Sequence, residues 1–110
     1  MAALLVTATG LPTSPLDAAA GFYSTVVPEV LEGLANATEV VITFDPAAPA
    51  HRAWRLAAVQ ELAREAAPRR VNGIVGTGEK ALQEVRDFLA RAPGVTGQLL
   101  AVDGKSGESD

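Results

Sequence analysis

Two kinds of segment alternate along the chain. Ala3–Ala8 (ALLVTA), Glu39–Phe44 (EVVITF), Arg70–Val75 (RVNGIV) and Gln98–Val102 (QLLAV) are short runs rich in apolar and β-branched residues. Such runs predict strands buried on both faces, as in a parallel sheet, rather than half-buried strands of alternating polarity. The longer stretches between them have helical spacing. In the first, Phe22, Val26, Val30 and Leu34 recur every four residues with Leu31 beside them, forming one apolar stripe. Ser14-Pro15-Leu16-Asp17 supplies that helix with a cap, a proline at its first position and an early carboxylate. Pro28 predicts a kink or a weakened turn, and Gly33–Thr38 the exit.

A second helix is predicted over about Ala50–Ala67, with Trp54, Ala58 and Leu62 on one face, Arg55, Arg64 and Glu65 mostly elsewhere, and Pro68 as its stop. A third opens at Gly76-Thr77-Gly78-Glu79, carries Leu82, Val85, Phe88, Leu89 and Ala92 at helical spacing, and ends at Pro93-Gly94. The order β-α-β-α-β-α-β predicts an α/β fold of three layers, α/β/α, around a four-stranded parallel sheet with right-handed crossovers. Its 110 residues suit one domain and not two, here residues 1–104. The polar residues 105–110 are expected to form a flexible tail.

Composition narrows the partners. Apolar residues make up 48%, enough to fill a single core. A net charge of −4 argues against nucleic acid or an anionic membrane surface as the main partner. There is no cysteine and one histidine, which excludes disulfides, thiolate metal sites and multi-histidine sites. Nothing approaches a membrane span, and Met1–Gly10 lacks a basic region before its short apolar run, so a cytoplasmic location is expected.

A parallel α/β sheet prompts a search for phosphate-binding loops, and neither GxGxxG after the first strand nor GxxxxGK[ST] anywhere is present. Gly76-Thr77-Gly78 opens a helix whose amides could hold an anion, but it reads more simply as a tight turn with Thr77 as helix cap. His51 and Arg52 read as a solvent-facing first turn, because no serine stands beside them to serve as a nucleophile. Asp17 reads as a capping carboxylate and Trp54 as core or interface.

The second half resembles the end of a short-chain dehydrogenase/reductase. Leu62-Ala63-Arg64-Glu65 to Pro68, followed by Arg70-Val71-Asn72-Gly73-Ile74, is similar to that family's "LAxELAP…RVNxIxPG". Val95-Thr96-Gly97-Gln98-Leu99-Leu100-Ala101-Val102-Asp103-Gly104 resembles its closing "VTGQxLxVDGG". Leu4–Gly10 resembles the "LVNNAG" strand with both asparagines lost. Within the family, the extra N-terminal domain of high-molecular-weight 3-oxoacyl-(acyl-carrier-protein) reductases looks closest. Its "LVFDATG" strand and "FFTPVL" helix look like Leu4–Gly10 and Phe22–Val30.

The resemblance implies a truncated Rossmann-like sheet that begins at the family's fourth strand, without the strands and glycine-rich loop that hold the dinucleotide. Counting back without gaps from Leu62, Ala48 falls where the family has its catalytic tyrosine and Arg52 where it has the lysine. The catalytic serine belongs near Asp45, and the central-helix asparagine falls at Asp17 or Ala18. The lid after the family's sixth strand shrinks to Gly76–Glu79. General acid catalysis needs a titratable group at the carbonyl, which alanine cannot supply. The expectation is therefore a pseudoenzyme, with no catalytic, cofactor-binding or metal residues and no cofactor. Its role would be structural or interactive in a 3-oxoacyl-(acyl-carrier-protein) reductase system, within fatty-acid metabolism. The alternative is part of an NAD(P)-dependent oxidoreductase, a 3-oxoacyl thioester reductase whose cofactor site comes from another chain or domain.

Partners are expected to be a second copy, as a homodimer, or a reductase domain or chain, with neither nucleic acid nor membrane involved. Leu4 and Val6 on the first strand, Phe22, Val26, Trp54 and Leu62 on the first two helices, and Phe88 and Leu100 near the last strand are the candidate interface residues. They match the family's pairing surfaces and an edge strand left without its neighbour.

Overall fold

The computed structural model describes residues 3–102. Four strands, β1 (Ala3–Ala8), β2 (Glu39–Phe44), β3 (Arg70–Val75) and β4 (Leu99–Ala101), form one parallel sheet in the order β1-β2-β3-β4. Ala3 pairs with Glu39, Glu39 with Arg70 and Gly73 with Leu99. β4 is shorter than its apolar run, spanning three residues where the sequence predicts five. The expected tail, residues 105–110, lies outside the described residues, as do Asp103 and Gly104 of the closing motif.

The α/β/α layering follows from strand alternation. Val40, Ile42 and Phe44 of β2 point to one face with Val6, Ala8, Val71 and Leu99, and Val41 points to the other with Ile74. The first face is covered by α1 (Pro15–Gly21), α2 (Val27–Gly33) and α3 (Arg52–Ala66). The second is covered by α4 (Glu79–Ala90), through Leu82 and Leu89.

The caps bear out part of the sequence reading. The Ser14 hydroxyl accepts from the Asp17 amide at 3.4 Å, with Pro15 opening α1. Pro28 acts on the turn before it. Phe22–Val26 is π-helical, the Val27 amide reaching back to the Phe22 carbonyl, and α2 resumes after it. Proline brings no amide to the ladder, so the widened turn absorbs the lost bond and the stripe continues. Phe22, Val26, Val30 and Leu34 are all buried, whereas Leu31 is exposed.

Two helix starts differ from expectation. Gly78, not Thr77, precedes α4 and makes no side-chain cap bond. A 3-10 turn, Pro49–His51, precedes α3 and turns His51 inward.

Ends of the sheet are tied by side chains. Arg70 meets Glu39 at 3.1 Å and donates to the carbonyls of Leu89 and Ala92, closing the end of α4. Asn72, fully buried, donates to the Val95 carbonyl and accepts from the Gln98 amide, both at 3.0 Å. It thereby holds the loop that delivers β4.

Candidate functional site at the carboxyl ends of the strands

Open α/β sheets bind ligands beyond the carboxyl ends of their strands. Here the loops after β1, β2 and β3 meet there and leave three adjoining clefts. The first, about 300 Å³, lies between the β1–α1 loop and the start of α3, with Leu11, Thr13, Asp45, His51 and Arg55 on its walls. The second, about 190 Å³, is bordered by Ala48, Arg52, Arg55, Val75, Leu99 and Ala101. The third, about 310 Å³, runs past Pro46, Val75, Gly76, Thr77, Ala101 and Val102.

His51 is not the solvent-facing residue its sequence position implies. It is 6% exposed, its Nε2 lies 2.9 Å from the Thr13 carbonyl, and its Nδ1 accepts from Trp54 Nε1 at 3.1 Å. These bonds fix the tautomer with the proton on Nε2. Both ring nitrogens are engaged in tying the β1–α1 loop to α3, so neither is free for proton transfer.

Arg55 also departs from expectation. Sequence spacing puts it off the apolar face, yet it is 6% exposed. Its guanidinium lies over the Phe44 ring at 4.8 Å and near Trp54 at 5.8 Å, and Nη1 donates to the Asp45 carbonyl at 2.8 Å. Burial lowers its pKa from the usual arginine value, and the nearby Asp45 carboxylate opposes that shift. Its Nε is buried without a hydrogen-bond partner. His51 has no signal in periodicity, because the 3-10 turn sets its orientation; Arg55 is in helical register with buried Ala58, Val59 and Leu62, and its charge hid that spacing.

The candidate interface residues divide. Val6, Phe22, Val26 and Leu62 are consumed by the chain's own core and present no surface, a correction to the sequence expectation. The stripe read as a pairing face packs on this sheet instead: Phe22 stacks on Phe44 at 5.5 Å and meets Trp54 at 5.4 Å. Leu4, Trp54 and Leu100 are half-buried. Phe88 is 52% exposed.

The positions that resemblance assigns to catalysis also fall here. Ala48 is exposed just before the turn into α3, and Arg52, exposed, opens that helix.

A family model described as SDR-like, short chain dehydrogenase-like protein, matches residues 6–102. The chain belongs to this family. No curated protein and no solved structure matches it.

The family implies a nicotinamide dinucleotide, and the described residues do not fit one. A pyrophosphate needs free amides in a glycine-rich turn at a helix start. After β1 the Gly10 amide, at φ 72°, instead donates to the Asp45 carboxylate at 3.4 Å, and that carboxylate would repel phosphate. After β3 the Gly76 amide donates to the Phe44 carbonyl at 3.2 Å. A Cβ on Gly76 would collide with the Val102 carbonyl oxygen. That glycine lets the chain leaving β4 approach; it does not cradle a ligand. Among the described residues no helix is long and apolar enough to cross a membrane, and no group of His, Asp or Glu is arranged to hold a metal.

Proposed function

We propose that this SDR-like domain is non-catalytic and serves a structural or interaction role in a 3-oxoacyl-(acyl-carrier-protein) reductase system. The observation that carries the reading is the furnishing of the β2–α3 junction. Ala48 stands where the family places its proton-donating tyrosine, and the single histidine nearby has both nitrogens engaged. A carbonyl placed above β2 would meet no free acid there. Microcalorimetric titration with NADPH and NADH is expected to give no stoichiometric binding. Turnover of an acetoacetyl thioester is expected to be absent both in the native chain and in Ala48→Tyr/Arg52→Lys, which restores two side chains but not a cofactor loop. Micromolar dinucleotide affinity or measurable turnover would overturn the proposal.

A second reading is favoured by the free side of β1. Among the described residues β1 pairs only with β2, and Leu5, 55% exposed, faces away from the main core. An unpaired, apolar edge strand recruits another strand or chain. The partner is a second copy, or a reductase chain that supplies the cofactor half. Light scattering at micromolar concentration is expected to show a dimer, and a stable monomer would remove the first partner from consideration.

A further inference from the structure

We propose that the cleft between the first turn of α3 and the ends of β3 and β4 binds a small organic carboxylate, with Arg55 as its anchor and Arg52 as a second contact. This goes beyond the proposed scaffold role and does not depend on a reductase partner.

Arg55 is the first observation. Among the described residues its guanidinium forms no ion pair; the acceptor it does use, the Asp45 carbonyl, is neutral. Among the described residues Nε has no acceptor. A buried guanidinium with donors to spare carries a desolvation cost that an anion would offset. Contact with the Phe44 ring and the nearby Trp54 holds the guanidinium in place, so little ordering would be lost on binding.

The charge distribution around the cleft is the second. Among the described residues Arg52 and Arg55 both border it and no carboxylate does. Asp45 belongs to the neighbouring cleft, where its carboxylate accepts from the Gly10 amide. Apart from His51 the remaining wall is apolar, with Val75, Leu99 and Ala101 contributed by the ends of β3 and β4.

Size and polarity together define the ligand class. A volume of about 190 Å³ is the share of about six liquid waters, enough for a carboxylate and a chain of a few carbons. The third cleft shares Val75 and Ala101 with this one and gives a longer chain room to continue. Inorganic phosphate would satisfy the arginines and leave the apolar wall wet.

The test titrates the full chain with sodium butanoate at constant ionic strength. Trp54 is the single tryptophan, so its emission reports the site directly, alongside the ¹⁵N-resolved Arg55 Nε resonance. Saturable changes in both are expected, with butanamide inert and phosphate weaker than butanoate. Arg55→Met should lower affinity at least about tenfold, the loss of one charge-assisted hydrogen bond. Arg52→Gln should lower it less. If Arg55→Met does not fold, Arg52→Gln and the Nε shift of the native chain decide the matter. Absence of saturation, phosphate binding as tightly as butanoate, or affinity unchanged in the folded variants would each overturn the proposal.

Discussion

The two faces of the sheet differ in depth. One carries α1, the π-helical turn, α2 and α3, and buries a cluster in which Phe22 stacks on Phe44 and both meet Trp54 at an angle. The other carries α4 alone, with Val41, Ile74, Leu82 and Leu89 as its buried centre. Helix α4 covers β2 and β3 and leaves β1 bare, so Leu5 and Phe88 are the large apolar side chains exposed on or beside that face. In a sheet whose strands are all apolar on both sides, coverage by one helix is incomplete. The deep face holds the larger buried cluster, and the shallow face leaves apolar surface uncovered.

This contrast can be broken by substitution. The largest effect is expected for Phe22→Ala on the deep face. It removes an aromatic ring with three ring partners, at a cost of roughly 4 kcal/mol in chemical denaturation. Leu89→Ala at the centre of the shallow face should cost less, roughly 3 kcal/mol. Equal costs would show that the asymmetry is one of area only. Asn72→Ala, also on the shallow face, leaves the Gln98 amide and Val95 carbonyl without their partner. Roughly 2 kcal/mol is expected, with hydrogen exchange at Gln98 accelerating before that of β2. The smallest effect on stability belongs to Leu5→Lys, within about 0.5 kcal/mol because the side chain is exposed. The same change should abolish dimerisation in light scattering if the bare strand is the contact, and dimerisation that persists would move the interface to Phe88 and α4.

Much of the architecture is legible in the sequence because it rests on local periodicity. Buried strands read as apolar runs, the Phe22–Leu34 stripe reads at helical spacing, and Ser14 reads as a cap from its neighbours alone. What was not legible depends on phase and on distant partners. The 3-10 turn at Pro49–His51 turns His51 to Thr13, and Arg55, in register with Ala58 and Leu62, carries its charge to Phe44. No spacing rule reports a contact across so many residues, and charge alone argues for the surface. The interface reading failed at Val6, Phe22, Val26 and Leu62 for a related reason. An apolar stripe looks the same whether it meets its own sheet or a partner, and the chain's own sheet took it first.

Strand order along the sheet repeats strand order along the chain, and this bears on how the molecule is made. Ala3 waits for Glu39, Glu39 for Arg70, and Gly73 only for Leu99, so each closure spans a shorter stretch of chain than the one before. The entropy lost in closing a loop falls as the loop shortens. Every strand after β1 therefore joins the one made just before it, and each open edge waits only for the next strand in the chain. Sheets whose order reverses part-way lack this property. Assembly here can run as a one-way growth process, in which the last strand, clasped by Asn72, is both the shortest and the least demanding to add.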